Sequence, residues 1–307
     1  MTLTAAFDAF TLGQRLVGLA LDDNLQRILD TTAILLFFAL PTTVALGGVF
    51  FVPWRREYWS LRHLSRMLAR HGWVVAGLIL MLIPEFIESM VDPIVDNVLQ
   101  ADYTHLLAGP EAGFHHWLQS GLLPLQPVLK PALTAAYVAG YPAIIIFTPM
   151  LGVWLDRGVL ARRSLGVYAM SFALALPFYL FFPVREVWHW YGGDANAGSV
   201  QNLAIQYAWV REHIYAYNEL NNCFPSLHTA ISVGLAAVAW RTGAPRRYVI
   251  FATTLAAAIV FSTLYLGIHW VADVVAGLVL AGIVVRLAER AWPLPAAAAE
   301  PGPAAAL

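Results

Sequence analysis

Apolar stretches long enough to cross a bilayer recur along this chain, separated by short basic loops. Inside hydrocarbon a backbone must satisfy its own N–H and C=O groups, so segments of roughly 20 apolar residues have to be helices. Of 307 residues, 59% are hydrophobic and 12% are charged, about half the charged share of an ordinary soluble chain. Spans are expected at residues 31–53, 73–90, 131–154, 165–183, 224–240, 248–266 and 270–287, which makes an all-α, polytopic membrane bundle of about seven helices. Ahead of them, residues 10–29 alternate Phe10, Leu12, Leu16, Leu19, Leu25 and Ile28 with Arg15, Asp22, Asp23 and Arg27. That segment is too polar to span and is expected on the membrane surface.

Charge distribution orients the bundle. Thirteen of the eighteen Lys and Arg fall in alternate connections and near the C-terminus: Arg55, Arg56, Arg62, Arg66 and Arg70; Arg157, Arg162 and Arg163; Arg241, Arg246 and Arg247; Arg286 and Arg290. The positive-inside rule makes these cytoplasmic, with the N-terminus outside and the C-terminus inside. Residues 94–126 and 186–222 then lie outside, as an interfacial cap rich in aromatic and polar residues. A net charge of -1 offers no basic field for nucleic acid. The single cysteine, Cys223, excludes an internal disulfide and a CxxC site, and its expected role is packing. Asp8, with no basic run before an apolar stretch, argues against a cleavable signal peptide.

Against this background two stretches stand out, Phe224-Pro225-Ser226-Leu227-His228-Thr229 and Gly267-Ile268-His269-Trp270-Val271-Ala272-Asp273. Each sets a histidine at the start of an apolar segment, where an ionisable ring calls for a functional reason. His269 and Asp273 are four apart and share a helix face, so the carboxylate can accept one imidazole proton and leave the other nitrogen free to attack. Pro225 and Ser226 open a helix whose free N–H groups at Ser226, Leu227 and His228 suit a phosphate. Arg185 supplies a planar cation for phosphate oxygens. The expected centre is one of phosphoryl transfer, with His269 as nucleophile, Asp273 orienting it and His228 as general acid and then base. Arg185, Ser226 and Leu227 would hold the substrate, with no metal and no other cofactor.

Pro-Ser-x-His, followed by Ser262, His269 and Asp273 at their spacing, resembles the type 2 phosphatidic acid phosphatase superfamily of membrane lipid phosphatases. The likeness runs from about Pro131 to Leu287, and it implies the same roles for the two histidines and the aspartate. With the core so marked (130–290), the chain is expected to hold also an amphipathic segment (1–30), accessory spans with an outer cap (31–129) and, from its Ala and Pro content, a disordered tail (291–307). The family pattern has Lys where Phe178 stands, Gly where Leu227 stands and Arg where Thr263 stands. Those departures, with Pro-Ser-Leu-His and Tyr-Leu-Gly-x-His, resemble the inositol phosphorylceramide synthase branch, which hands a phosphorylated headgroup from one lipid to another. Fewer cations suit a phosphodiester. The partners so implied are a lipid phosphate or phosphodiester and membrane lipids; oligomeric state is left open.

Two other functions compete. A vanadate-type oxidase would need a denser ring of cations, and a non-catalytic lipid carrier would need polar residues along a path or internal repeats. Among lesser features, Glu85, Glu88, Asp92 and Asp96 share a helix face and are expected to be solvated, or else to form a metal or headgroup site with His105, His115 or His116. His189 and His213 are candidates for substrate contact, and Asn221 and Asn222 for a hydroxylated headgroup. Tyr265 and Trp270 read as interfacial aromatics, and His63 and His71 as solvated.

Overall fold

The computed structural model describes residues 40–84, 87, 88, 91, 99–111, 113–192, 200–213 and 221–294. The amphipathic segment 10–29, the start of the first expected span, Glu85, Asp92, Asp96 and the tail from residue 295 lie outside them. The described residues are helical, with one isolated parallel bridge between Val184 and Asn222.

In chain order the helices are α1 (Leu40–Phe51), α2 (Leu61–His71), α3 (Trp73–Leu80), α4 (Thr104–Glu111), α5 (Phe114–Gly121) and α6 (Gln126–Ala135). A π-helical turn, Ala136–Gly140, joins α6 to α7 (Tyr141–Trp154). Then come α8 (Gly158–Phe181), α9 (Val187–Trp190), α10 (Ala208–His213), α11 (Leu227–Arg241), α12 (Arg246–Tyr265) and α13 (Val271–Ala291).

Among the described residues, four continuous stretches are long and apolar enough to cross a membrane: Leu123–Trp154, Gly158–Phe181, Arg246–Tyr265 and Val271–Ala291. A fifth arises if α2 and the helix from Trp73, bent by 57° at their junction, count as one span. The described part of the first expected span is 12 residues long, and α11 has 15. At 1.5 Å per residue α11 reaches only about 22 Å. It is packed between α7, α8, α12 and α13, which is why it carries Ser232 and Gly234 where a lipid-facing helix would be uniformly apolar. The core there is built from Ile231, Leu235, Val238, Ile259, Leu160, Val167 and Val284, all buried.

Helix polarity sorts the bundle into two ends. The N-termini of α8 and α12 and the C-termini of α11 and α13 share one end, where Glu289 pairs with Arg241 at 2.8 Å and Arg163 at 3.9 Å. The opposite end holds the C-terminus of α8 and the N-termini of α11 and α13. His63 and His71 are buried at the basic end, contrary to the solvated placement expected of them. His63 Nε2 lies 2.8 Å from the Trp154 carbonyl and His71 Nε2 lies 2.9 Å from Asp156, so both tie the bent α2–α3 pair to the α7–α8 turn.

Candidate active site

The segment between α8 and α9 is stitched on two sides. On one, Val184 N–H donates to Asn221 C=O and accepts at its own carbonyl from Cys223 N–H. On the other, Val187 and Trp188 N–H donate to the carbonyls of Ile268 and Gly267. Each of these segments leads to a histidine, 221–223 to His228 and 267–268 to His269. Gly267 adopts φ +77°, and a Cβ there would lie 2.7 Å from the Gln201 carbonyl, so the turn before His269 needs glycine. Thr263 C=O then accepts the N–H groups of Ile268 and His269, both at 3.0 Å.

These constraints bring the predicted residues together. His269 Nδ1 is 3.3 Å from Asp273 Oδ2, and its Nε2 is 3.3 Å from His228 Nδ1. An ionised Asp273 accepts from Nδ1–H, which leaves the Nε2 lone pair outward, and there it accepts from His228. Asp273 Oδ2 also takes the Trp270 N–H at 2.8 Å. His269 and Asp273 are buried at 4% and 0% exposure. Desolvation pushes the His269 imidazole down to about 3, so the ring is neutral. His269 precedes α13 rather than sitting on it; Asp273, in the first turn, reaches back to it.

Helix α11 begins at Leu227, with Ser226 as its N-cap and Pro225 outside it. Ser226 Oγ accepts from Thr229 N–H at 3.3 Å, and Ser226 N–H donates to the Asp273 carbonyl at 3.1 Å. One of the three backbone donors foreseen for an anion is therefore already engaged, and it locks α11 to α13. Tyr179 OH donates to the Pro225 carbonyl at 2.9 Å.

Arg185 is half exposed, and its Nε pairs with Asp102 Oδ2 at 2.9 Å. Its N–H donates to Thr104 Oγ1 at 2.8 Å, while Asp102 Oδ1 takes the N–H and hydroxyl of Thr104. Trp270, fully buried, donates its indole N–H to the Arg185 carbonyl at 2.9 Å. It thus links the cation to the residue beside His269, and the interfacial place expected for Trp270 and for the equally buried Tyr265 is corrected. Glu111 accepts the N–H groups of Val271 and Ala272 at 2.6 and 2.9 Å and caps α13, with buried His115 Nε2 3.5 Å away. Burial alone would raise the Glu111 carboxyl, but His115 and those two N–H groups outweigh it and the net shift is downward. None of Asp102, Thr104, Glu111 and the structural part of Trp270 was singled out from sequence.

Glu88, expected on a solvated face, is buried and accepts from Asn222 Nδ2 at 2.5 Å. Asn222 is thereby committed to the protein's interior. His105 and His116 are exposed, and the His213 side chain lies outside the described residues. His189 is shifted downward, first by its burial and then by the charge of Arg185. Phe178 is exposed and edge-on to Phe224, while Thr263 is fully buried with its hydroxyl on the Val260 carbonyl. Neither position presents a cation.

Cys223, His269 and Asp273 bring three donor atoms within 4.8 Å of one another. Two of them already hydrogen-bond to each other, an arrangement that orients an imidazole without an ion.

Glu186, fully buried with its carboxylate on the Trp188 indole N–H, is pushed up to about 8 by desolvation. The folded state thus holds a proton that the unfolded state releases, so its stabilising contribution is complete below pH about 4.5 and fades as pH rises towards 8. Thermal denaturation between those limits should show a stability loss of at most about 1.4 kcal/mol per pH unit from this group. Glu186→Gln should flatten that slope.

A family model described as the PAP2 superfamily matches residues 111–287, more than half of the chain. No curated protein and no solved structure matches it.

Proposed function

Because the chain belongs to the PAP2 superfamily, the type 2 phosphatidic acid phosphatases, we propose that it is an integral membrane enzyme transferring a phosphoryl or phosphorylated headgroup from a lipid. The observation that carries this reading is the line His228–His269–Asp273, with 3.3 Å at each link and its last two residues buried.

In the proposed reaction the substrate phosphorus enters where the His228–His269 hydrogen bond now lies. His269 Nε2 forms the N–P bond while the bond to the leaving oxygen breaks, and His228 delivers its proton to that oxygen. His228 then takes a proton from the acceptor hydroxyl, whose oxygen attacks phosphorus and releases His269. Asp273 keeps the Nδ1 proton throughout. Arg185, the Ser226 hydroxyl and the N–H groups of Leu227 and His228 would balance charge on the phosphoryl oxygens. No step in this scheme calls on a metal ion.

The substrate side of the proposal is a phosphodiester handed to an alcohol, as in the inositol phosphorylceramide synthase branch. Support comes from Phe178 and Thr263, which hold no cation, and from Arg185, whose charge is already shared with Asp102. The positive charge offered here is better matched to a diester monoanion than to a monoester dianion. In the membrane we place seven spans and an outer cap, with the site and the N-terminus outside and the basic end and C-terminus in the cytoplasm.

The test offers the purified protein a phosphodiester lipid and a phosphate monoester lipid, each with and without a polyol or lipid alcohol. The expected outcome is turnover of the diester that rises with alcohol and yields the transferred headgroup. Release of inorganic phosphate from the monoester at a rate indifferent to alcohol would instead make the protein a phosphatase, and no turnover of either would sink the enzymatic reading.

A further inference from the structure

His269 has Asp273 to set its protonation, but His228 has no such partner. Among the described residues the one hydrogen bond of its ring is to His269, and no carboxylate is paired with it. A general acid must nevertheless carry a proton into the reaction. What does face its ring is aromatic. The centroid of Tyr137 lies 4.6 Å from that of His228 at 31° between planes, and that of Tyr141 lies 4.5 Å away at 44°.

Both tyrosines come from one irregularity. Tyr137 sits inside the π-helical turn Ala136–Gly140, and Tyr141 is the residue directly after it. Gly140 faces α12, where a Cβ would lie 2.7 Å from Leu255 Cδ1, the movable end of a side chain. Such turns are uncommon and concentrate at functional sites. Tyr137 is 5% exposed, so its ring acts in a dry environment, where a cation within about 6 Å of an aromatic face is held more strongly than in water.

We infer that Tyr137 and Tyr141 form an aromatic cradle that positions the His228 ring and favours its imidazolium form, making them positioning residues for the general acid. This rests on the phosphoryl-transfer reading above. The other titratable groups around His228 are His269 in contact, Asp273 behind His269, Tyr179 of α8 on the Pro225 carbonyl, and Tyr265 of α12, which clusters with Tyr137. The cation Arg185 is engaged with Asp102. Of these groups, His269 Nε2 also gains attraction when His228 becomes charged, but it is turned to phosphorus once substrate enters, which leaves the two tyrosine faces in contact with the charged ring.

Steady-state turnover of a phosphodiester lipid in mixed micelles, followed against pH, tests the cradle. With His228 as acid, activity falls at high pH as its proton is lost. In the variant carrying both Tyr137→Leu and Tyr141→Leu that alkaline limb should move down by about one pH unit. The kcat at neutral pH should drop about tenfold, with KM within about twofold. Tyr137→Phe and Tyr141→Phe, which keep the ring faces, should restore most of both. A kcat loss with the limb unmoved would mean packing alone and would overturn the inference, as would an unchanged profile. The single leucine variants carry the same test if the double one does not fold. Nuclear magnetic resonance of isotope-labelled histidine gives the His228 ionisation without turnover and should show a downward shift in the leucine variants. An inactive wild type would refute the enzyme, whereas an unshifted His228 would refute the cradle.

Discussion

His269→Ala should lower kcat by about 10⁴-fold or more against the wild-type protein, for headgroup transfer and phosphate release alike. The size follows from removing the nucleophile instead of a helper. General acid–base assistance contributes about 10²–10⁴, and groups that act as a unit lose nearly all their joint effect when the central one is removed. Removal of the ring also leaves the Asp273 carboxylate, fully buried, with the Trp270 N–H as its remaining hydrogen-bond donor. Loss of activity through unfolding is therefore checked with His269→Asn, which can still donate to Asp273 and should melt near the wild-type temperature while staying inactive. An active, folded His269→Asn protein would mean that another group attacks phosphorus.

The second large effect is expected at Asp273. In Asp273→Asn the shape is kept, but Oδ2 alone serves both the Trp270 N–H and His269, so an amide NH₂ in its place gives up the Trp270 contact and donates to His269 Nδ1. That nitrogen becomes the acceptor and the ring proton moves to Nε2, where the lone pair was needed. A wrong tautomer of this kind should reduce kcat by about 10²–10⁴-fold, in line with carboxylate-to-amide changes beside catalytic histidines. KM should stay near the wild-type value, because Asp273 does not reach the substrate. An equal loss carried by KM with kcat preserved would instead assign Asp273 to binding.

The residues proposed to react stood out in the sequence because their chemistry is out of place there. An imidazole or a carboxylate at the mouth of an apolar helix is costly, and a separation of four keeps His269 near Asp273, although His269 stands before α13 and Asp273 reaches back to it. Arg185 could be read as a phosphate cation, but not its tether. Asp102 lies in a segment where hydropathy gives no register, and its partner is 83 positions away by sequence. Glu111 was invisible for the same reason, since it caps a helix 160 residues downstream. The Asp-x-Thr at 102–104 was available as a local turn signature, though nothing local says that the turn carries Arg185.

Misreadings came from treating burial as a property of the local segment. His63 and His71 sit in a basic stretch and looked solvated, yet the 57° bend after α2 folds them onto the α7–α8 turn. Glu88 looked like part of a wet acidic face and instead meets Asn222 inside the protein. Trp270 looked like a membrane-belt aromatic and turned out to bridge His269 to Arg185. Tyr137 and Tyr141 belong to the apolar pattern of their span, and only a π-helical turn, which no periodicity announces, aims both at one imidazole.

The central claim is a covalent bond between phosphorus and His269 Nε2. Rapid quenching of the turning-over enzyme under alkaline conditions, followed by peptide mass spectrometry, should find an acid-labile, base-stable phosphorylated adduct on the peptide carrying His269, bearing the headgroup if a diester is used. It should be lost in His269→Asn and should accumulate in His228→Ala when an activated leaving group removes the need for an acid. A wild-type enzyme that turns over steadily with no such adduct, or one whose adduct lies on another residue, would contradict the account.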